Sequence, residues 1–266
     1  MQKNIIEVNG LYKSFKNKKQ VHPVLKGTSF SVKEGSIFAL LGSNGAGKTT
    51  AVKILSTLAK LDGGSVKICG YCVDKQAHKV REKISLTGQY AAVDEMLTGR
   101  ENLKLVAELR GLKDYKSKIE EFLKLFNLTE ATDKLVKTYS GGMRRKTDIA
   151  ISLLGNPEII FLDEPTIGLD PQSRIALWEV IENLKKNGKT IFLTTQYLEE
   201  AERLADDVAV LDGGIIVAQG TVAELKNSLI NINASDYNAE KDMPTLEEVF
   251  LSIVTKKDDK VKGDNR

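Results

Sequence analysis

The chain has 266 residues, 41% hydrophobic and 28% charged, which is the composition of a globular protein with one large core or two small ones. Lys and Arg number 39 against 36 Asp and Glu, and a net charge of +3 is too small to indicate nucleic-acid or anionic-lipid binding. No apolar run approaches the roughly 18 residues of a membrane span, and residues 1–10 are unlike a secretory signal. We therefore expect an intracellular protein.

In chain order, the first predicted elements are two alternating segments, residues 5–8 and 28–32, which are typical of an antiparallel flank. Apolar runs without alternation follow at residues 36–41, 159–162 and 190–193, and they predict fully buried strands of a parallel sheet. Helical spacing between these runs indicates an α/β fold with a mixed central sheet. The apolar residues at helical spacing are Ile119, Phe122, Leu123 and Phe126, then Leu177, Val180, Ile181 and Leu184.

A helical insertion is predicted within this sheet domain, because residues 98–138 show only helical periodicity. Together with the helix that follows, the helical subdomain covers about residues 98–155. The whole domain spans residues 1–227. Residues 228–266 are predicted to form a linker, a short helix and a charged tail. Thr245 and Glu248 form a capping box that would open the short helix. Its apolar face would consist of Leu246, Val249, Phe250 and Ile253.

A phosphate-binding loop follows the first buried run and fits the pattern G-x-x-x-x-G-K-[ST]. Glycines let successive backbone N–H groups point at phosphate oxygens, and the helix that begins here adds the positive end of its dipole. Lys48 can reach the β- and γ-phosphates, and the Thr49 hydroxyl suits Mg²⁺. A glycine-rich turn that matches this pattern by chance is rare in a chain of this length. The predicted nucleotide-binding residues are Gly42, Ser43, Asn44, Gly45, Ala46, Gly47, Lys48, Thr49 and Thr50.

Two carboxylates, Asp163 and Glu164, end the apolar run at residues 159–162. The carboxyl ends of parallel strands share one edge of a sheet, so both carboxylates would lie beside the phosphate loop. We expect Asp163 to hold Mg²⁺ through water and Glu164 to orient or deprotonate the water that attacks the γ-phosphate. An acidic pair at a strand end is often only solvated, and it is the phosphate loop that favours catalysis here.

A second anion site is predicted at residues 139–143, YSGGM, where a hydroxyl and bare amides open a helix. An ordinary N-cap with a tight turn would have the same sequence. Together, these motifs resemble the nucleotide-binding subunits of ABC transporters over about residues 5–225, with YSGGM in place of the signature LSGGQ. The resemblance implies that two copies enclose two Mg²⁺-ATP head to tail. Ser140, Gly141 and Gly142 would then contact the nucleotide of the other copy.

The same resemblance implies roles for three single residues. Phe15 matches the aromatic residue that stacks on adenine, with Tyr12 as the second candidate, and both could equally belong to the core. Gln89 matches a glutamine that contacts Mg²⁺ or the attacking water and links the sheet to the helical subdomain. Asp170 resembles the loop that crosses the dimer interface, and it is also placed to cap the helix after Pro171.

The chain departs from the family at Gln196, where most ABC cassettes have a His that hydrogen-bonds the γ-phosphate. Glutamine offers an N–H donor but cannot carry a charge near neutral pH. We therefore expect Gln196 to position the γ-phosphate and Glu164 to be the sole titratable catalytic residue. Further departures are Met143 in place of Gln and Ile167 in place of the usual Ser or Thr.

Cys69 and Cys72 have the C-x-x-C spacing but precede a polar turn rather than a helix. No second Cys or His pair in the sequence completes a zinc site. The sequence therefore favours a structural role for both cysteines.

The segments TTQYLEEAE, YSGGM and TLEEVF look like the daunorubicin-resistance-type branch of exporter ATPases, which drive drug or lipid export. The expected function is ATP hydrolysis that powers a separately encoded permease, docked near residues 89–103, on the inner face of the plasma membrane. No nucleic-acid partner is expected. The alternatives are a soluble ABC ATPase that acts on ribosomes, DNA or iron–sulfur assembly, and a small-molecule kinase or switch GTPase. A single cassette counts against the first alternative, and YSGGM counts against the second.

Overall fold

The computed structural model of the protein describes residues 3–17, 20–88, 93–232, 245–250 and 252. The strands are β1 (Asn4–Asn17), β2 (Gln20–Lys33), β3 (Ile37–Leu41), β4 (Gly63–Ile68), β5 (Tyr71–Cys72), β6 (Ile84–Thr87), β7 (Ile159–Asp163), β8 (Thr190–Thr195), β9 (Asp207–Asp212) and β10 (Ile215–Gly220). The helices are α1 (Lys48–Leu55), α2 (Ala77–Lys83), α3 (Gly99–Leu109), α4 (Tyr115–Leu125), α5 (Gly141–Leu153), α6 (Pro171–Lys186), α7 (Leu198–Leu204) and α8 (Val222–Ile232). None of the helices described is both long and apolar enough to cross a membrane.

A six-stranded sheet with the order β10-β9-β3-β8-β7-β6 carries the core. Its strands pair in parallel except β10, which pairs antiparallel with β9. Alternate residues of β3 face different clusters: Ile37 and Ala39 pack with the cluster that contains α5 and α6, whereas Phe38 and Leu40 pack with α1 and the first two strands. Burial on both faces explains why β3 has no alternating pattern. The predicted mixed α/β fold is confirmed.

The predicted antiparallel flank forms a sheet of its own, with the order β2-β1-β4-β5. The two predicted segments pair within it, and Val8 lies opposite Phe30. Aromatic stacking joins this sheet to the central one, because the Phe30 ring centroid lies 5.3 Å from that of Phe38. Phe38 in turn lies 5.4 Å from Phe192 of β8. Each such ring contact contributes about 0.5–1.5 kcal/mol beyond the buried area.

The segment between β6 and β7 is helical where the structure describes it, as predicted. It contains α3, α4, two short 3-10 helices at Thr129–Ala131 and Val136–Thr138, and α5. Helix α5 packs against both α3 and α6, so it joins this segment to the central sheet domain. Helix α5 therefore lies between the helical segment and the central sheet domain.

In the C-terminal part, the structure differs from the predicted start of the linker at residue 228. Helix α8 continues to Ile232, so the predicted linker from residue 228 begins inside a helix, although Asn227 and Ser228 are weak helix formers. The buried side chain of Leu225 anchors this helix to the core. Residues 233–244, Ile253 and the charged tail lie outside the described residues.

The predicted capping box at the C-terminal helix is present. The backbone N–H of Thr245 donates to Glu248 Oε2 at 2.9 Å, and the N–H of Glu248 donates to Thr245 Oγ1 at 3.2 Å. Leu246 and Val249 are buried in the core cluster that contains α5 and α6. The apolar face of this short helix therefore packs on the rest of the cassette.

Candidate active site

The phosphate loop connects β3 to α1, and two of its glycines are required by its backbone. Gly47 caps α1 with φ +112°, a left-handed conformation that other residues rarely adopt. Gly42 lies so close to β9 that a Cβ atom would be 2.4 Å from the carbonyl oxygen of Leu211. Helix α1 has no acidic residue in its first turn, so its positive end can interact with an anion.

Lys48, the first residue of α1, is the centre of the hydrogen-bond network at the loop. Its side chain is 4% exposed, and its ammonium group donates to the carbonyl oxygens of Gly42 at 2.7 Å and Ser43 at 3.0 Å. The same ammonium group lies 3.2 Å from Glu164 Oε1, and the Glu164 side chain is 7% exposed. A buried ion pair of this kind is stable only when its remaining polar groups are also bonded, as the two carbonyls achieve for Lys48.

A hydroxyl network places Asp163 beside the loop. The Thr194 hydroxyl donates to Asp163 Oδ1 at 2.5 Å and accepts from the backbone N–H of Glu164 at 3.1 Å. The Thr49 hydroxyl lies 3.4 Å from the same Asp163 oxygen. The two oxygen groups predicted to hold Mg²⁺ are therefore neighbours, which fits a cation that prefers oxygen ligands.

The backbone of Glu164 is strained. Its φ is +50°, and the left-handed region costs a residue with a Cβ atom about 1–2 kcal/mol. The N–H of Glu164 also donates to the carbonyl oxygen of Thr194 at 3.1 Å, which holds this conformation in place. Such strain is found where a surrounding network fixes a functional side chain.

Arg145 of α5 reaches the peptide groups on both sides of Glu164. Its guanidinium donates to the carbonyl oxygen of Pro165 at 3.1 Å, to that of Asp163 at 3.3 Å, and also to that of Gly88. The side chain is buried and pairs with Asp148 at 3.6 Å. Burial lowers the pKa of the guanidinium, and the nearby carboxylates oppose that shift.

A cavity of about 450 Å³ lies over the phosphate loop. Phe15 lines it and is 48% exposed, and the Lys13 ammonium lies 5.5 Å from the Phe15 ring centroid. Tyr12 instead packs on Gly27, where a Cβ atom would be 2.8 Å from the Tyr12 hydroxyl. The geometry therefore favours Phe15 over Tyr12 as the adenine contact. Predicted site residues that line this cavity are Phe15, Asn44, Gly45, Gly47, Lys48, Thr49, Thr50 and Glu164.

The serine–glycine turn begins α5 and lies outside the first cavity. Ser140 is the N-cap, and its hydroxyl accepts from the backbone N–H of Met143 at 3.2 Å. Ser140 and Gly141 are exposed, whereas Gly142 packs on α6 so closely that a Cβ atom would be 2.7 Å from Ser173 Oγ. A second cavity, of about 190 Å³, is shared by Gly141 and Glu164. The predicted N-cap is thus present on an exposed helix start.

Gln196 follows β8 and lines a narrow cleft together with Glu164. Glu200 of α7 lines the same cleft and is 0% exposed. Its Oε1 accepts from the Trp178 indole N–H at 3.1 Å, and burial raises the pKa of its carboxyl. Asp170 caps α6, as predicted, by accepting from the Ser173 N–H at 2.9 Å. Gln89 lies outside the described residues.

Sequence reasoning missed two members of this network. Arg145 belongs to a run of three cations, Arg144 to Lys146, which is typical of a solvated helix face. The signal that could have identified it is Asp148, an acid three residues later on the same helix, which is the spacing of an ion pair. Glu200 follows another acid, and nothing in that pair distinguishes the buried residue from the exposed Glu199.

Cys69 occupies the tight turn between β4 and β5. Its thiol lies 3.5 Å from Glu158 Oε2, and burial together with that carboxylate raises the thiol pKa to about 12. The thiol is therefore neutral at physiological pH, which removes the nucleophilic form that a redox site needs. This supports the structural role predicted for Cys69.

The family model described as "ABC transporter" matches residues 25–167, which include the phosphate loop, the serine–glycine turn and the acidic pair. The chain belongs to the ABC transporter family. The cassette is therefore an ABC ATPase, and the predicted family is confirmed.

Two similar proteins are drug-resistance ATP-binding proteins. The daunorubicin/doxorubicin resistance ATP-binding protein of Streptomyces peucetius is 46% identical over 226 residues, which are 84% of this chain and 67% of that protein. A daunorubicin resistance ATP-binding protein of Streptomyces coeruleorubidus is 51% identical over 205 residues, covering 76% of this chain and 64% of that protein. The chain spans about two thirds of the length of these relatives.

Solved structures show the same architecture. An ATP-binding subunit of an ABC transporter has a TM-score of 0.77 and 29% identity, covering 94% of this chain and 99% of that one. A dimeric ATP-binding cassette in a post-hydrolysis state, bound to ADP and phosphate, has a TM-score of 0.73 and 25% identity, covering 81% of this chain and 98% of that one. These matches confirm the P-loop fold predicted for the cassette.

Proposed function

We propose that this chain hydrolyses ATP as one of two cassettes that drive a separately encoded membrane permease, which exports drugs or lipids. The observation that carries the proposal is the ion pair of Lys48 and Glu164, because it joins the phosphate-binding ammonium and the expected general base at 3.2 Å. The drug-resistance names of the two relatives support export and the class of transported molecule.

In this proposal the first cavity binds Mg²⁺-ATP. Phe15 stacks on the adenine, and the amides of the phosphate loop with Lys48 hold the phosphates. Thr49 and Asp163 supply two oxygen ligands to Mg²⁺, which neutralises phosphate charge. No cluster of three or more His, Cys, Asp or Glu side chains suited to a metal occurs among the described residues, so phosphates and water would supply the remaining ligands.

Glu164 acts on the attacking water. Its carboxylate accepts a proton as the water oxygen bonds to the γ-phosphorus and the bond to the ADP oxygen breaks. Gln196, in the same cleft, donates an N–H to a γ-phosphate oxygen. Gln89 is proposed to contact the water or Mg²⁺, as the family resemblance implies. The products are ADP and phosphate, and the proton returns from Glu164 to solvent.

The second copy completes each site. Its Ser140, Gly141 and Gly142 contact the γ-phosphate held by the first copy, as the family resemblance implies. The exposure of Ser140 and Gly141 supports this arrangement, as does the dimeric cassette among the similar structures. Asp170 is proposed to cross the interface from its position at the start of α6.

The permease is proposed to dock near residues 89–103, on the cytoplasmic side of the membrane. In the described part of this region Met96 is exposed, and Leu105 and Leu109 on the following helix α3 are exposed as well. Exposed apolar side chains of this kind suit a protein partner rather than nucleic acid. The drug-resistance relatives give no support to a soluble ATPase that acts on ribosomes, DNA or iron–sulfur assembly.

Two measurements test the proposal. The purified chain is expected to hydrolyse ATP with Mg²⁺ and to stop when the metal is chelated. A tagged copy, recovered from detergent-solubilised membranes, is expected to bring down a polytopic membrane protein. Recovery of ribosomes or DNA without such a protein would replace the transporter with the soluble alternative, and absence of Mg²⁺-dependent hydrolysis would overturn the assignment of the site.

A further inference from the structure

We propose that Arg145 is a positioning residue that couples the two ATP sites of the dimer, an inference that rests on the proposed function. The residue belongs to α5, whose first turn would contact the nucleotide of the other copy. Its side chain holds the backbone around Glu164, which acts on the nucleotide of its own copy. One residue therefore connects a group that acts in trans with a group that acts in cis.

The hydrogen bonds of Arg145 reach two separate segments of the chain, the residues around Glu164 and the end of β6. Two of its bonds, at 3.1 and 3.3 Å, go to the carbonyls of Pro165 and Asp163, which flank Glu164 in the chain. A further bond goes to the carbonyl of Gly88, the residue before Gln89. The orientation of the guanidinium therefore fixes the peptide groups that aim Glu164, together with the carbonyl of Gly88 at the end of β6.

Helix α5 is a suitable connection between the two sites. Arg145 lies four residues after Gly141, which corresponds to about 6 Å along a helix axis. Helix α5 is mostly buried between α3 and α6, and Gly142 has no space for a Cβ atom against Ser173. A displacement of the first turn by a bound phosphate must therefore move Arg145 with it, because the helix is stiff and closely packed.

The second cavity shows that the start of α5 and the Glu164 side chain lie next to each other. Gly141, Arg145 and Glu164 line the same 190 Å³ space, together with Ile167 and Leu169 of the loop before α6. Closure of a second copy over this surface would act on the helix start and on the backbone of Glu164 at one place. Strain at Glu164, with φ +50°, makes its position sensitive to the loss of a supporting hydrogen bond.

The side-chain type is decisive for this role. A planar guanidinium presents five N–H donors in a fixed arrangement and can hold several carbonyls at once. A lysine ammonium keeps the positive charge beside Asp148 but is a compact point charge with no such fixed arrangement. Arg145→Lys therefore separates the charge from the geometry, which is the distinction that a test requires.

The experiment compares the wild-type chain, Arg145→Lys and Arg203→Lys. The control makes the same change in an exposed ion pair, where Arg203 Nε lies 3.2 Å from Glu182 on the surface of α6 and α7. ADP affinity is measured by calorimetry, the folded fraction by thermal unfolding, and hydrolysis as a function of ATP concentration. Two coupled sites allow a Hill coefficient between 1 and about 2.

We expect the wild-type chain and Arg203→Lys to show a Hill coefficient above 1 and equal turnover. Arg145→Lys should keep ADP affinity within about twofold, lose about tenfold or more in kcat per folded molecule, and show a Hill coefficient near 1. If Arg145→Lys does not fold, Arg145→Gln is compared with Arg203→Gln, since both variants lose the positive charge and only the first loses a donor set that serves three carbonyls.

Equal cooperativity and turnover in Arg145→Lys and Arg203→Lys would overturn the role of Arg145 and leave the proposed function intact. A wild-type Hill coefficient of 1 would also overturn the coupling, while hydrolysis itself would still support the proposed function. A wild-type chain without Mg²⁺-dependent hydrolysis would instead contradict the proposed function. The two failures are therefore distinguishable.

Discussion

The chain has two helix starts that suit phosphate, and they differ in how much of a site one copy supplies. At the start of α1, Lys48 is buried and bonded to two carbonyls and to Glu164 beside a cavity of about 450 Å³. At the start of α5, Ser140 and Gly141 are exposed, and the cap is a single hydrogen bond from Met143. The first start is preorganised within one chain, whereas the second presents its groups outward.

This difference separates the effects of substitutions. A change in the network around Lys48 should alter what a single chain does with a nucleotide. A change at the start of α5 should leave that chemistry intact and act only when a second copy is present. Substitutions in the two regions can therefore be told apart by whether a single chain is affected.

Glu164→Gln should lower kcat by about 10²–10⁴, the range for loss of a general base. The amide can still accept a hydrogen bond but cannot take the proton from water. ATP affinity, measured in the same preparation by calorimetry, should change little. Retention of wild-type turnover would show that Glu164 is not the base and that the buried network serves only stability.

Lys48→Ala should reduce ATP affinity and destabilise the free chain by about 3–5 kcal/mol, because it removes the ammonium partner of the buried Glu164 carboxylate. Urea unfolding and calorimetry measure the two effects. The double variant Lys48→Ala with Glu164→Gln serves as the control, since it has no buried carboxylate at this position and should recover part of the stability. A free chain with unchanged stability would contradict the preorganised site.

Gln196→Ala should lower kcat by about 10- to 100-fold, which corresponds to the loss of one hydrogen bond to a charged group. The loss should be the same at pH 6 and pH 8, because glutamine does not titrate. A steady-state assay at both pH values checks this. Full activity in the variant would remove Gln196 from the site and leave Glu164 as the only catalytic residue in the cleft.

The smallest effect is expected for Glu200→Gln. This variant should change the free energy of unfolding by an amount that depends on pH. Burial raises the pKa of the Glu200 carboxyl above its ordinary value of 4.5, so above that pH the unfolded chain has lost a proton that the folded chain retains. The wild-type free energy of unfolding should therefore fall, relative to Glu200→Gln, as pH rises through 4.5, until the folded carboxyl also ionises. Urea unfolding at pH 4 and pH 8 measures this difference, and a wild-type free energy of unfolding that rises relative to that of Glu200→Gln between these pH values would contradict it.

The parts predictable from the sequence are those whose chemistry is local. The phosphate loop needs its glycines for its own backbone, and Gly47 and Gly42 show that need in the structure. The buried runs at β3, β7 and β8 reveal their environment because every residue faces a core. Asp163 and Glu164 are predictable for a similar reason, because they lie where the buried strand β7 ends.

The parts that sequence reasoning missed depend on contacts between distant segments. Arg145 resembles a surface cation until the fold brings Gly88 and Pro165 to it. Glu200 differs from Glu199 only through the packing of Trp178. Strand β9 is buried over residues 208–211 like the predicted strands, whereas the partly exposed strand β10 and helix α8 lack a distinctive local pattern, since packing decides them rather than propensity.

Completion of each site by a second copy is tested by the molecular mass of Glu164→Gln in saturating Mg²⁺-ATP, measured by light scattering. We expect the mass to double. Adding Gly141→Asp, which places a carboxylate at the exposed helix start, should return the protein to single chains that each still bind one ATP. A Glu164→Gln protein that binds ATP and remains monomeric would contradict the claim that a second copy completes the site.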